Sequence, residues 1–366
     1  MRISRAGLST IVLVIVLGTS VQGLAQSGLT DNSLAVDAGE SIAGEPSGEW
    51  TGWNELATGL NPDDTYRDPE TSSWSDVAVN SLVGPLRTDL WRPLEWETFF
   101  TDGWDEQYAP APHETPHQGW ITNADSGFYR VYVASFAYAA GVPGAGSGKV
   151  YNGAAFLYTP LNRRFELGWF FPFVTSTPSP SGAQTNVGDL TIAPRFLLEE
   201  RKNFSVTANV YIRTPTGNAV NGQGVTSYSP DIEFWWTEPT QHWVLRGGVG
   251  VTVPVEYSGE KADLLAANPW TGFNASPGAF KSFDARLAVG RHLTAGDDPT
   301  FSHLVVNCAW NLHTQLEGGN NTYFSVAPGF RFQFSKDWYL LGGVEVPLVG
   351  PLPFSYQPLV QVIKAF

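Results

Sequence analysis

Residues 128–366 contain repeated runs in which apolar and polar side chains alternate with a period of two. In the run FSVTANVYIR, residues 204–213, every even position is apolar and every odd position carries a polar atom. Successive side chains of a β-strand point to opposite faces of a sheet, so each run predicts a strand with one apolar and one polar face. Runs of this kind, bounded by Gly, Pro, Asn and Asp, predict twelve strands. Their approximate bounds are residues 128–140, 148–159, 164–174, 186–199, 203–213, 225–236, 241–255, 278–290, 301–315, 321–335, 338–347 and 354–366.

The alternation alone does not tell which face meets water, because a soluble β-sandwich and a membrane barrel share it. The lengths of the links favour a barrel. Short links lie near residues 160–163, 200–202, 237–240 and 336–337. Long links, rich in Gly, Ser, Asn and Pro, lie at residues 175–185, 214–224 and 256–277. Outer-membrane barrels have short periplasmic turns and long outer loops, so this order predicts a barrel with both of its ends in the periplasm. The link at 291–300 is longer than this rule predicts.

Strand length and aromatic residues favour the same fold. Many of the runs reach ten residues or more, close to the ~9–11 that a tilted membrane strand needs. Aromatic side chains near the strand ends are typical of the girdles at the two membrane interfaces. They are Trp169, Phe171, Phe173, Trp235, Trp236, Trp243, Phe334 and Trp338. The last strand ends on Phe366, which resembles the terminal strand of bacterial outer-membrane proteins, although Lys364 interrupts its apolar face.

The first 25 residues predict an export signal. Arg2 and Arg5 form a basic start, residues 11–17 are an unbroken apolar run, and Gly23-Leu24-Ala25 offers a small-residue cleavage site. This combination is typical of a secretory signal peptide. The alternative is a membrane anchor, but the apolar run is shorter than the ~20 residues of a spanning helix. Cys308 is the only cysteine, so no internal disulfide can staple the exported chain.

Residues 26–126 differ in character from the rest of the chain. They hold 19 acidic and 3 basic residues, a net charge of −16, whereas residues 127–366 hold 16 of each and are neutral. An acidic chain without a basic patch argues against a nucleic-acid partner. The acidic segment is interpreted as a partly disordered tail, a plug or a periplasmic interaction arm. Its stretch 88–122 is rich in aromatic residues that need a surface to bury against, so we expect it to dock on or inside the barrel.

Residues 113–117 read His-Glu-Thr-Pro-His and match the H-E-x-x-H pattern of zinc proteases. That pattern works on a helix, where the two histidines share one face. Pro116 lies inside the motif, and proline in a helix interior costs ~3 kcal/mol and removes a backbone hydrogen bond. The stretch is therefore interpreted as an extended Pro-rich linker, with a loose surface metal site at His113 and His117 as the alternative. No metal or cofactor is predicted.

An outer-membrane phospholipase is the enzyme alternative, because such enzymes can be twelve-stranded barrels. They need a serine and a histidine oriented together by a third polar residue. Ser302-His303 is the one candidate pair within a predicted strand, and it lacks the motif of those enzymes. His303 and His313 are ten residues apart on one strand, about 33 Å at ~3.3 Å per residue, too far to share a metal. The prediction is that the protein is not an enzyme.

The candidate functional residues are charges on the polar strand faces, where they would line the interior of a barrel. They are Asp189, Arg195, Arg213, Asp231, Glu233, Arg246, Asp284, Arg286, Arg331 and Glu345. They either pair across the lumen and hold the barrel together or line a path for a solute. A barrel of twelve strands lies between filled eight-stranded and open sixteen-stranded barrels, so a narrow pore and a plugged lumen both remain open. Near-balanced signs argue against a strongly ion-selective ring.

Residues 186–255 resemble a known family. The strand NVGDLTIAPRF, 186–196, is similar to the "GDL/T…R-F/Y" strand of the outer-membrane proteins linked to meta-cleavage phenol degradation. The end RTPTGN, 213–218, is similar to the "LPTGD" strand end and loop of that family. The resemblance is weaker in the last third and absent from 26–126. It implies a barrel that acts as a channel for small, often aromatic or hydrophobic molecules, and it implies no catalytic residue.

Together these features predict an all-β protein, a single antiparallel transmembrane β-barrel of about twelve strands. The predicted organisation is a signal peptide at 1–25, an irregular periplasmic segment at 26–126 and a barrel at 127–366. The predicted function is passive movement of small molecules, including hydrophobic or aromatic ones, across a Gram-negative-type outer membrane. The partners would be outer-membrane lipid and the solute. The alternative is a structural or anchoring barrel whose N-terminal segment binds a partner.

Overall fold

Twelve strands form one closed barrel in a computed structural model of the chain. The order around the wall is β1-β12-β11-β10-β9-β8-β7-β6-β5-β4-β3-β2, so neighbours in sequence are neighbours in space and the last strand closes on the first. Every pairing is antiparallel. The predicted fold class, a single antiparallel barrel of twelve strands, is confirmed. The structure describes residues 73–84, 94–104, 120–121, 126–142, 149–176, 187–201, 203–217, 225–238, 242–255, 281–294, 301–316 and 322–366.

The observed strands lie where the alternating runs predict them, with ends that differ by at most a few residues. They are β1 Val131–Ala140, β2 Lys149–Pro160, β3 Phe165–Ser176, β4 Thr191–Arg201, β5 Phe204–Arg213, β6 Ser227–Thr237, β7 Trp243–Pro254, β8 Ser282–His292, β9 Ser302–Gln315, β10 Thr322–Ser335, β11 Trp338–Val349 and β12 Gln357–Ala365. The largest difference is at β4, which begins five residues later than the predicted 186.

The two ends of the barrel differ in their connections. One end carries the start of β1, the last residue Phe366 and the short links, such as 336–337 between β10 and β11; we call it the termini end. The other, the loop end, carries the longer links, such as 214–226 and 255–281. The link at 293–301 is a long connection at the termini end, as its sequence indicates.

Pairing is uneven around the wall. β1 and β2 pair over ten residues, from Val131 with Tyr158 to Ala140 with Lys149. β3 and β4 pair over six, from Phe165 with Phe196 to Phe170 with Thr191. Beyond Phe170, one further hydrogen bond joins β3 to the segment before β4: the Gly188 N–H donates to the Pro172 carbonyl oxygen at 2.8 Å.

The wall separates apolar from polar side chains by face. Large hydrophobic residues are exposed on the outer face of many strands, for example Phe136 on β1, Ile232 on β6 and Val360 on β12. Charged residues such as Arg195 and Glu233 are buried on the opposite face. Exposed apolar surface on this scale is unusual for a protein in water, and it matches a wall that meets lipid.

One α-helix precedes the barrel in the described part of the chain. Helix α1, Trp74–Val83, begins at Ser73, whose side chain accepts a hydrogen bond from the Asp76 N–H, and ends before Gly84. Val77 and Ser81 are its buried residues. Within the described residues, no helix has the length and apolar character that a membrane crossing requires.

Some predictions fall on residues that the structure does not describe. The predicted signal peptide at 1–25 and the H-E-x-x-H stretch at 113–117 both lie outside the described residues. All described residues belong to one compact unit, 59–366. The division of the chain at residue 126 stays a prediction.

Candidate functional site: the barrel interior

The ten predicted charges all lie on the face of the wall opposite the exposed apolar residues. Seven of them are buried, and Arg213, Asp284 and Arg286 are half-buried. The buried seven are Asp189, Arg195, Asp231, Glu233, Arg246, Arg331 and Glu345. Charged residues are almost never buried unless they are paired, so their partners decide what the interior does.

Arg195 of β4 stands at the centre of one network. Its guanidinium forms an ion pair with Glu166 of β3 and donates from Nε to Asn209 Oδ1 of β5 at 3.1 Å. A further N–H donates to the main-chain carbonyl oxygen of Gly127 at 3.0 Å. Glu166 also accepts from the Tyr129 N–H at 2.6 Å. Arg195 therefore joins three wall strands to the segment that precedes β1.

The network continues from Asn209 to three charges on β6 and β8. Asn209 Nδ2 donates to Asp231 Oδ1 at 2.8 Å and to Glu233 Oε2 at 3.0 Å. Arg286 lies 3.7 Å from Asp231 and 3.8 Å from Glu233, measured between nitrogen and oxygen. It can reach across β7 because Gly248 and Gly250 are the residues of β7 that pair with these two acids. Five of the strands thus share one continuous set of polar contacts.

Asp284 and Glu345 have local partners on the neighbouring strands. His313 Nδ1 of β9 lies 2.8 Å from Asp284 Oδ1. Glu345 of β11 accepts from Ser325 Oγ at 2.5 Å and from Asn311 Nδ2 at 3.4 Å. Both acids are therefore fixed in the wall.

Arg246 and Arg331 lie against aromatic rings. The Arg246 guanidinium is 4.5 Å from the centroid of the Trp120 ring, and that of Arg331 is 4.6 Å from the Tyr339 ring. Cation–π contacts of this kind strengthen when water is excluded, and both arginines are fully buried. Arg246 thus joins the wall to Trp120, a residue that precedes the first strand in sequence and is not part of the wall.

Asp189 belongs to the loop end. Its Oδ1 accepts from the Gly217 N–H at 2.9 Å. One residue on, the Leu190 N–H donates to Thr216 Oγ1 at 2.9 Å, and Thr214 Oγ1 donates to the Leu190 carbonyl oxygen at 2.9 Å. The two stretches that carry the family resemblance, 186–196 and 213–218, therefore hold each other in place, which makes their residues part of the scaffold.

Trp120 and Ile121 occupy the interior of the barrel. Trp120 is 4% exposed and packs in a buried cluster with residues of β6 to β10, including Trp235, Ala288 and Ala327. Ile121 is 3% exposed and packs in another cluster, with residues of β1, β2, β11 and β12. Two consecutive residues that contact opposite parts of the wall must lie inside it. Both side chains therefore lie in the lumen.

Residues 126–130 continue along the inside of the wall to the start of β1. The Ser126 and Ser205 hydroxyls are 2.8 Å apart, and the Ser126 carbonyl oxygen accepts from Thr207 Oγ1 at 2.6 Å. With the Gly127 and Tyr129 contacts, this segment is held by hydrogen bonds over most of its length. A segment that precedes β1 is thus fixed to the inside of the wall by hydrogen bonds.

Residues 94–104 cap the β2–β3 turn at the termini end. The Arg163 N–H donates to the Asp102 carbonyl oxygen at 3.0 Å. Arg164 donates from Nε to the Glu95 carbonyl oxygen at 3.1 Å, and its guanidinium is 4.3 Å from the Trp96 ring. Burial lowers the pKa of Arg164, and the Asp102 carboxylate opposes that shift. The described parts of the 88–122 stretch, 94–104 and 120–121, therefore both contact the barrel.

Sequence reasoning missed two residues that organise the interior, Glu166 and Asn209, and one that joins the barrel to the segment before it, Arg130. Glu166 and Asn209 lie on predicted polar faces, but Glu166 is a lone acid in an aromatic strand and Asn209 carries no charge. Arg130 precedes β1 and binds outside the wall. A signal exists for Glu166, because it sits opposite Arg195 once adjacent strands are paired in register.

The residues considered for an enzyme, Ser302 and His303, have separate contacts in the structure, and the candidate metal ligands His113 and His117 lie outside the described residues. Ser302 Oγ donates to Gln333 Oε1 at 3.2 Å, and His303 stacks near His292 with ring centroids 5.8 Å apart. Within the described ranges, no three His, Cys, Asp or Glu side chains come together as a group that could hold a metal ion.

These features define the class of the protein: a closed twelve-stranded β-barrel with an apolar outer face, a charged inner face and an internal N-terminal segment. A family model described as "Putative MetA-pathway of phenol degradation" matches residues 121–346, more than half of the chain. The chain belongs to that family, and the resemblance in residues 186–255 is confirmed. No curated protein sequence matches the chain.

Several solved barrels are similar in fold. An outer membrane channel from Pseudomonas putida F1 is 15% identical, with 71% of this chain and all of that chain covered and a TM-score of 0.46. The KdgM porin is 10% identical, with 64% and 99% covered and a TM-score of 0.39. The outer membrane phospholipase A from Escherichia coli is 12% identical, with 67% and 99% covered and a TM-score of 0.35. Because channels and an enzyme both appear at these levels, the likenesses do not discriminate between functions.

Proposed function

We propose that the protein is an outer-membrane channel for passive movement of small molecules that are apolar or aromatic in part. The observation that carries the proposal is the division of the wall into an exposed apolar outer face and a buried charged inner face. A barrel in lipid needs this arrangement, whereas a soluble sandwich would turn its charges outward. Membership of the phenol-degradation family supports an aromatic or hydrophobic solute.

The interior suggests how such a channel is kept selective. Arg195 is paired with Glu166, and Arg286 lies near both Asp231 and Glu233, so these charges form no ring of one sign. Trp120 and Ile121 lie in the lumen between the two ends. A molecule would pass only when this segment shifts, which suits a channel that excludes most hydrophilic solutes.

A structural or anchoring role is the second candidate, and one observation favours it. The interior segment is held at Ser126, Gly127 and Tyr129 by hydrogen bonds to the wall, so a fixed segment lies in the lumen. In that case the N-terminal segment would bind a partner at the termini end and nothing would pass.

Reconstitution separates the two candidates. The full-length protein in liposomes of phosphatidylethanolamine and phosphatidylglycerol should conduct ions in discrete steps, and trapped benzyl alcohol should leave faster than from protein-free liposomes. An Arg201→Ala variant is a suitable control, because Arg201 is exposed and its ion pair with Glu199 is at the surface. Absence of both conductance and flux would favour the anchoring role. Recovery of folded protein from a detergent-free aqueous extract would overturn the membrane location itself.

A further inference from the structure

The Trp120 side chain lies over a patch of small residues on the inner wall. Ala288 of β8, Ala309 of β9 and Ala327 of β10 stand side by side in one register row, and all three are buried. Trp120 packs in one buried cluster with them. Because alanine fills little of the lumen, three alanines on adjacent strands leave room for the flat indole that lies there.

Gly290 and Arg246 complete this depression around the indole. A Cβ built on Gly290, two residues along β8 from Ala288, would lie 2.7 Å from Cζ2 and 3.1 Å from Cζ3 of Trp120, so only glycine fits beside the six-membered ring. Arg246 of β7 pairs with Ala288, and its guanidinium lies 4.5 Å from the centroid of the Trp120 ring. We call the following residues the ring socket: Arg246, Ala288, Gly290, Ala309 and Ala327.

The ring socket holds Trp120 by its ring. Trp120 Nε1 is buried, and within the described part of the chain it has no hydrogen-bond acceptor. A buried indole N–H is usually paired, and leaving it unpaired opposes the packing of this side chain. A ring without that N–H would make the same contacts and avoid the cost. The contacts of the socket therefore suit aromatic rings as a class, of which the indole is one.

The place of Trp120 in the chain allows it to leave the ring socket. Trp120 belongs to the segment before β1, so its departure breaks no pairing between the strands of the wall. On the loop side of the socket, the next register row holds Glu233, Arg286 and Asn311. A solute that enters from the loop end therefore meets a polar row directly before the socket, an order that suits an aromatic ring with one polar substituent.

We infer that the ring socket binds the aromatic ring of a solute in passage, and that Trp120 occupies the socket while no solute is there. One socket cannot hold both rings, so the solute and Trp120 compete for it. Binding of the solute then moves Trp120 aside, which is the shift of the interior segment that passage requires. This inference rests on the proposed function, and it names the place where an aromatic solute is recognised.

Competition gives the first test, with benzyl alcohol as the probe. Saturation-transfer NMR on the full-length protein in detergent, corrected for empty micelles, measures the dissociation constant. Trp120→Ala should lower that constant about tenfold, because the solute no longer competes with a tethered ring. Trp236→Ala, which removes an exposed tryptophan of the outer face, should leave it unchanged. A constant for Trp120→Ala that is no lower than that of the parent protein, or no binding by either, would overturn the inference.

The parent protein gives a second test that needs no substitution. Saturating benzyl alcohol should raise hydrogen–deuterium exchange in peptides that contain Trp120 and Ile121, because the displaced segment loses its buried contacts. Exchange in helix α1, which lies outside the socket, should stay the same. Unchanged or lower exchange around Trp120 would place the probe elsewhere in the barrel and contradict the competition.

The socket residues give the third test, in the Trp120→Ala background. Cyclohexylmethanol, a saturated ring of similar size, should bind about tenfold more weakly than benzyl alcohol, as the loss of a desolvated cation–π contact predicts. Arg246→Met should remove that preference. Arg291→Met is the matched control and should keep it, because the Arg291 guanidinium lies 5.3 Å from the ring of the exposed Trp243. Gly290→Val fills the socket and should abolish the binding of both alcohols.

Three results of this last experiment count against the ring socket. They are equal affinities for the two alcohols, a preference that survives Arg246→Met, and undiminished binding by the Gly290→Val variant.

The two proposals fail in different ways. If these binding results hold but liposomes show neither conductance nor flux, the ring socket stands and the channel does not. If liposomes conduct and pass benzyl alcohol while Trp120→Ala binds it no better than the parent protein, the channel stands and the ring socket is wrong.

Discussion

The Arg130 side chain donates from Nη1 to the main-chain carbonyl oxygen of Gly84 at 2.8 Å, where helix α1 ends. Its Nε donates to the carbonyl oxygen of Phe366, the last residue of the chain, and its guanidinium lies 5.3 Å from the Trp104 ring. A cation at the C-terminal end of a helix interacts favourably with the unpaired carbonyl groups there. One buried arginine therefore holds helix α1 and Trp104, which we call the cap, to the β1–β12 seam at which the barrel closes.

We predict that Arg130→Met releases the cap and leaves the barrel closed. The β1–β12 seam keeps its main-chain ladder, whereas α1 loses the donor at its C-terminal end. Hydrogen–deuterium exchange in residues 73–84 should rise at least tenfold, which corresponds to a loss of ~1.4 kcal/mol. Arg201→Met serves as the control, because its exposed side chain should change nothing. Unchanged exchange in α1 would show that other contacts hold the cap.

Removal of only one member of the buried ion pair between Arg195 and Glu166 should strongly destabilise the protein. Arg195→Leu leaves the Glu166 carboxylate buried without its cation, and such changes destabilise by ~3–5 kcal/mol. The double variant Glu166→Met/Arg195→Leu removes both charges and should lose much less. Denaturant unfolding in detergent, followed by tryptophan fluorescence, measures both. A double variant as unstable as Arg195→Leu would indicate that the Asn209 and Gly127 contacts carry the effect.

Much of the wall could be predicted from the sequence because its physical signal is local. The run 204–213 alternates over its whole length, and β5 is Phe204–Arg213. The late start of β4 at Thr191 has a physical reason as well. Asp189 and Leu190 bond to the turn after β5 instead of continuing the ladder, and such a long-range contact leaves no periodic signal.

The sequence predicts which charged side chains lie on the inner face, but not which contacts they make there. A period of two places Asp231 and Glu233 on the inner face, but it does not tell that Arg286 reaches them across two glycines of β7. Trp120 lies in a stretch without periodicity, so its location in the lumen depends on tertiary contacts alone.

Removal of the interior segment should open the barrel. Deletion of residues 88–122 takes away Trp120 and Ile121, which bridge opposite parts of the wall. Single-channel conductance should rise several-fold over that of the full-length protein. The unfolding temperature should fall, because the buried clusters lose two large side chains. Unchanged conductance together with unchanged thermal stability would contradict a plug at this level.

A substitution at Gly290 should act on Trp120 from the wall side. A Cβ at Gly290 would lie 2.4 Å from the Trp120 ring, so Gly290→Val cannot be accommodated unless the indole moves. We expect it to cost ~1–3 kcal/mol through overpacking and to raise conductance. Trp120→Ala removes the group that clashes, so the double variant should lose less stability than the sum of the single variants, by ~0.5–3 kcal/mol. Trp236→Ala provides the matched control, since Trp236 is exposed on the outer face of β6. Its effect should add to that of Gly290→Val within ~0.5 kcal/mol. Denaturant unfolding of the three single and two double variants measures both couplings, and additivity for Trp120 as well would place its ring away from Gly290.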